Sequence, residues 1–181
     1  MRTVLRKFFF IWDFDKEEAW LNEMAAQGLV LTAVGYCRYE FEDAPPGKYQ
    51  IRLELLPNYP NHPESRRYLQ FLEETGIRQV GSFQRWVYLC RSTEDGPFDL
   101  YSDRASRLKM LGRLMVLVGI LAMPNLYNLG FNLYLYLQHD FSVNLFAGSC
   151  CLAVLFLLAW GWWRLYRKVR SIKREQDIFE E

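Results

Sequence analysis

Polar and apolar positions divide the chain unevenly. From Leu114 to Trp163 charge is almost absent, with one break at Gln138-His139-Asp140. Each side of that break is long enough to cross a bilayer, which takes roughly 20 apolar residues. Upstream the pattern alternates between strand and helix periods. Thr3 to Trp12 carries Phe8-Phe9-Phe10-Ile11-Trp12, apolar at both parities, and predicts a strand covered on both faces. Asp15-Lys16-Glu17-Glu18 predicts a helix start, with Asp15 as cap and Glu18 three residues on, as in a capping box. Trp20, Leu21, Met24 and Ala25 follow helical spacing, and Gly28 is the expected stop.

Leu29 to Glu42 predicts a second strand, in which Cys37, Tyr39 and Phe41 alternate with Arg38, Glu40 and Glu42. Ala44-Pro45-Pro46-Gly47-Lys48 is a turn, and Tyr49 to Leu55 alternates again, so the two strands are expected to pair as a hairpin. A second helix is predicted over Glu64 to Thr75 with Gly76 as its stop, and a fourth strand over Ile77 to Arg91. The order β-α-β-β-α-β is that of an α+β, ferredoxin-like fold, two helices on one face of a four-stranded sheet. The predicted division is a ferredoxin-like cytoplasmic domain over residues 1–95 and a juxtamembrane helix over 96–112, capped by Ser102 or Asp103. A two-helix transmembrane hairpin follows: first span 113–137, extracytoplasmic loop 138–142, second span 143–163, and a basic tail 164–181.

In that fold the open face of the sheet is the expected working surface. Arg38 and Glu40 of strand two would lie beside Arg52 and Glu54 of strand three, with Trp12, Trp86 and Tyr88 as an aromatic floor. Arginine forks beside aromatic walls suit a carboxylate, a phosphate or an acidic peptide. Two bland alternatives stand beside this one: the charges pair with one another, and residues 96–111 fold over the face.

The spans carry their own signals. Asn125, Asn128 and Asn132 fall on one helical face, which predicts contact with another helix, and Gly148 and Ser149 are small enough for close packing. A polar pocket along the asparagine face is the sharper alternative. Pro124 is expected to kink the first span. Trp160, Trp162 and Trp163 form an interfacial belt. Arg104, Arg107, Lys109 and Arg113 precede the first span, and Arg164, Arg167, Lys168, Arg170, Lys173 and Arg174 follow the second. The connecting loop has no Lys or Arg, so both termini are expected in the cytoplasm.

Charge and composition narrow the function classes. The net charge of +1 over 181 residues argues against a nucleic-acid partner. With four cysteines lacking CxxC spacing and two histidines, no metal site is expected, and no cofactor. The opening residues lack a signal-peptide cleavage pattern. Asp13-Phe14-Asp15 after an apolar run resembles the motif of magnesium-dependent aspartyl phosphatases. Lys16 stands where Thr or Val is expected, however, and no later acidic pair follows. No catalytic residue is assigned.

The run from Lys7 to Gly28 is similar to the opening of an uncharacterised bacterial family of unknown function. Gly35-Tyr36-Cys37-Arg38-Tyr39, Tyr49-Gln50-Ile51-Arg52, Trp86-Val87-Tyr88 and Gly96-Pro97-Phe98-Asp99-Leu100-Tyr101-Ser102 are similar too. Members are commonly encoded beside PadR-type transcription regulators. The resemblance implies a bacterial plasma-membrane protein with a regulatory role. The expected function is therefore a non-enzymatic, membrane-anchored regulatory or sensory binding module. The alternatives are an accessory subunit of a membrane transporter and, third, a magnesium-dependent phosphatase using Asp13 and Asp15. The expected partners are the bilayer and a protein, either a regulator or a multispan protein, and a homodimer is left open.

Overall fold

Hairpins that carry no glycine or asparagine at their turns shape the first part of the molecule. In the computed structural model, which describes residues 2–96, 98, 104–139 and 142–179, the chain forms two units, Met1–Asp103 and Arg104–Glu181. Among the described residues, the first unit holds six strands: β1 (Arg2–Arg6), β2 (Leu29–Gly35), β3 (Arg38–Asp43), β4 (Tyr49–Leu55), β5 (Arg78–Phe83) and β6 (Trp86–Ser92). Helix α1 (Phe14–Ala26) follows β1, and α2 (Pro63–Glu74) follows β4. The strands make two antiparallel three-stranded sheets, β1-β3-β2 and β4-β6-β5.

This corrects the four-stranded ferredoxin-like sheet. The stretch expected as one second strand folds back on itself at Tyr36-Cys37, pairing Gly35 with Arg38. The stretch expected as one fourth strand does so at Gln84-Arg85, pairing Phe83 with Trp86. Two-residue turns usually recruit Gly, Asn or Asp because they need left-handed backbone. Here Cys37 (φ 52°) and Gln84 (φ 54°) adopt it instead, at a cost of about 1–2 kcal/mol each. The expected hairpin between the second and third strands does not form. Ala44 to Lys48 instead carries the chain from one sheet to the other, since β3 pairs with β1 and β2 while β4 pairs with β6. Nor is the first strand central: β1 is an edge, and Phe8 to Phe10 leave the ladder before a short 3-10 turn over Ile11–Asp13.

Helix α1 closes the edge of β4. Asn22 Nδ2 donates to the carbonyl of Ile51 (2.9 Å), and Asn22 Oδ1 accepts from the Ile51 amide (2.9 Å). One turn earlier, Glu18 Oε2 accepts from the Leu53 amide (2.9 Å). These side chains stand where a neighbouring strand would, and an open edge is thereby capped. Glu18 is thus spent on β4 and on Arg52 Nη1 (2.6 Å) rather than on a capping box. The α1 stop is as expected: Gly28 has φ +88°, and a Cβ there would lie 2.9 Å from the Ala44 carbonyl.

Two apolar clusters hold this unit. Leu21 of α1 meets Leu31, Tyr39 and Phe41 of one sheet and Ile51, Leu53 and Tyr88 of the other. On the far side, α2 contributes Leu69 and Leu72 to a cluster with Val87, Leu89 and Phe98. Phe98 is therefore folded onto a sheet face, and the rest of 97–103, including the expected cap at Ser102 or Asp103, lies outside the described residues. The sheets meet where β2 and β5 approach. A Cβ on Gly81 would sit 3.0 Å from Val34 Cγ2 and 3.3 Å from its amide nitrogen. Gly81→Val is expected to cost about 1–3 kcal/mol by overpacking. Chemical denaturation of the purified full chain checks it.

The second unit is two helices, α3 (Arg104–His139) and α4 (Ser142–Phe179), packed on each other. Both are long and apolar enough to cross a membrane, over Arg107–Gln138 and Val143–Arg174. Residues 140 and 141 of the expected loop lie outside the described residues. Helix α3 continues through Pro124.

Candidate functional site

The residues from Lys7 to Asp13 leave the sheet as extended chain and a 3-10 turn, so their side chains are freed from ladder positions. Together with the two strained hairpin turns they enclose a cavity of about 180 Å³. Phe8 and Phe10 come from this segment, Phe14 from the start of α1, Tyr36 and Cys37 from the β2-β3 turn, and Phe83, Gln84 and Trp86 from the β5-β6 hairpin. The rings contact one another. Phe10 stacks on Trp12 at 4.8 Å and meets Phe8 edge-on at 4.9 Å; Tyr36 lies 6.1 Å from Phe83, and Phe14 lies 5.7 Å from Trp86. Tyr36 remains 77% exposed and Phe8 57%, at the outer side of the cleft. Left-handed backbone at two non-glycine residues lining one cavity is the kind of strain that clusters at functional sites.

Glu17, in the first turns of α1, also lines this cavity. It is only 9% exposed. The hydroxyls of Tyr39 (2.7 Å) and Tyr88 (2.5 Å) both donate to its Oε1. Oε2 accepts no hydrogen bond from the described residues. Nor does any described Lys, Arg or His form an ion pair with this carboxylate. Burial raises the Glu17 pKa above its ordinary value, opposed by the two tyrosine hydrogen bonds. Burial, followed by the charge of Glu17, pushes both tyrosines far above the usual phenol range, so they stay neutral donors. Lys7, the cation among the described lining residues, sits over the rings of Phe9 (5.1 Å) and Trp20 (4.6 Å).

The surface expected from the sequence is taken apart by this topology. Arg38 and Arg52 fall in different sheets. Arg38 bonds Glu40 at 2.9 Å, and Arg2 also reaches Glu40. Arg52 is held by Glu18 and by the Phe98 carbonyl (2.9 Å), and Glu54 accepts from Tyr68 (2.9 Å). Trp12 is buried at 4% exposure instead of forming a floor. Trp86 and Tyr88 do come together, in the cleft, with Glu17. Glu17 carries no mark in the sequence beyond its place in Asp15-Lys16-Glu17-Glu18, a run that signals a helix start. Of the motif pair Asp13 and Asp15, Asp13 is buried and 3.2 Å from Lys16 Nζ.

In the helical unit, Asn125, Asn128 and Asn132 each donate to the carbonyl four residues back, at 2.8–2.9 Å. Their donors are thus satisfied within their own helix, which an apolar medium requires. Gly148 is buried, and a Cβ there would lie 3.8 Å from Asn132 Cβ and 3.7 Å from Leu129 Cδ1. Asn128 and Ser149 are exposed, and the Ser149 hydroxyl bonds Leu145.

The fold and its cleft define an α+β domain followed by two long apolar helices. The chain belongs to the family described as Protein of unknown function (DUF2812), whose profile matches residues 13–123. That match runs from the start of α1 to about the middle of α3. No curated protein and no solved structure matches the chain.

Proposed function

We propose that the protein is a non-enzymatic, membrane-anchored sensory or regulatory module. Its α+β domain lies in the cytoplasm and takes a small ligand in the cleft around Glu17, and α3 and α4 are its two-span anchor. One observation carries the anchor. Only 11% and 6% of the most apolar windows of α3 and α4 are buried, so their side chains need a cover that the described residues do not provide. A core helix of a water-soluble protein would be mostly buried, and a bilayer supplies such a cover at this length. Arginines and lysines flank the outer ends of both helices, and the short link between them has none, which supports cytoplasmic termini in a bacterial plasma membrane. The neighbouring PadR-type regulator implied by the family resemblance is a candidate recipient of the signal.

Cysteine labelling tests this reading. In a variant with Cys37, Cys90, Cys150 and Cys151 replaced by Ser, Ser142→Cys is expected to react with an impermeant maleimide on intact cells. Ser171→Cys is expected to react only after permeabilisation. Labelling of Ser171→Cys from outside, or recovery of the protein in the soluble fraction, contradicts the proposal.

A further inference from the structure

The cleft has a chemistry more specific than apolar. A carboxylate lines it with one oxygen engaged by two neutral phenols and the other without a hydrogen bond from the described residues. No described Lys, Arg or His pairs with that carboxylate, and Lys7 on the same lining lies over the rings of Phe9 and Trp20. A buried carboxylate without a counter-charge is costly, and the missing charge is the obvious complement for a ligand to bring. The walls point the same way, since ring faces attract ammonium groups most strongly when these are stripped of water. A pocket of this size is below the usual range for drug-sized ligands, about 300–1,000 Å³, and suits one ring or a short chain.

We propose that the cleft binds a small organic cation, an ammonium on an apolar body, with the ammonium on Glu17 Oε2 and the body among Phe10, Tyr36 and Trp86. This rests on the cleft being the module's ligand site. Glu17 is the charge-reading residue, and Tyr39 and Tyr88 are positioning residues that hold its carboxylate by Oε1. Lys7, on the same lining, acts against doubly charged cations and sets a preference for a single positive charge. When the ligand meets a protonated Glu17, the proton leaves to water as the ion pair forms.

Isothermal titration of the full chain in nanodiscs, at mildly alkaline pH, separates the alternatives with three probes of similar shape: phenethylammonium, phenylpropanol and phenylpropanoate. Phenethylammonium is expected to bind at least about tenfold more tightly than the alcohol, which is roughly 1.4 kcal/mol, and the carboxylate not at all. Glu17→Gln keeps an oxygen for both tyrosines, so it should fold and lose the preference. Trp86→Ala should weaken phenethylammonium and phenylpropanol together. Equal affinity for ammonium and alcohol, or an unchanged preference in Glu17→Gln, overturns the cation assignment. If the alcohol then still responds to Trp86→Ala, the cleft stands as the ligand site. No binding of any probe at millimolar concentration overturns both.

Discussion

Asn22→Leu is expected to lower the unfolding free energy of the α+β domain by about 2–4 kcal/mol. Leucine fits the helix but cannot replace the amide, which donates to the Ile51 carbonyl and accepts from the Ile51 amide. Ile51 is fully buried, so water cannot take over either bond. A buried backbone group left without a partner costs roughly 1–3 kcal/mol, and this substitution orphans two. Glu23→Leu, one residue on and exposed, should stay within about 0.5 kcal/mol of the parent. Urea unfolding followed by domain tryptophan fluorescence compares the two. Equal stability of the two variants would mean that the edge of β4 is not closed by α1.

Glu17→Ala is expected to be comparably damaging, about 2–5 kcal/mol, because the hydroxyls of Tyr39 and Tyr88 would both lose their acceptor inside the core. Glu17→Gln should be mild by comparison, and its effect should depend on pH. Burial raises the folded-state pKa of Glu17 above the model-compound value of 4.5. The folded chain therefore holds that proton more tightly than the unfolded chain does. Its stabilising contribution is complete below pH 4.5 and is lost as pH rises through the raised value. Relative to Glu17→Gln, the parent should lose stability upward from about pH 4.5 and then level off. The other titratable groups facing the cavity are Lys7, Tyr36, Cys37, Tyr39 and Tyr88, of which Tyr39 and Tyr88 are shifted upward, away from this window. Parallel stability curves for the two proteins would show that Glu17 ionises like a solvated carboxylate.

Element types were more legible than partnerships. Gly28 and Gly76 marked the ends of α1 and α2, and both have the positive φ a helix stop calls for. The two apolar spans were visible by length alone. Strand count failed at Tyr36-Cys37 and Gln84-Arg85, because a turn made from residues that resist left-handed backbone leaves no mark in the pattern. Pairing failed for a different reason. Alternation at Tyr49 to Leu55 reports two unlike faces and says nothing of which strand lies alongside. The expected working surface went with it, since Arg38 and Arg52 were neighbours only if β3 and β4 paired. The cleft was half legible. The sequence singles out Trp86 and Tyr88 as candidate contacts, whereas it reads the Phe8 to Trp12 run as a strand covered on both faces and Glu17 only as part of a helix start. A buried carboxylate on a helix whose first turn is otherwise acidic can be found only once the hydroxyls that reach it are in place.

Carbon-13 titration of side-chain carboxyls, in the full chain reconstituted in nanodiscs, bears most directly on Glu17 and its cleft. The Glu17 signal is assigned by its loss in Glu17→Gln. It is expected to titrate above the ordinary 4.5, and to move downward when phenethylammonium is added, because a bound cation favours the ionised form. A Glu17 that titrates at or below 4.5 and ignores the ammonium would contradict a desolvated carboxylate waiting for a positive charge.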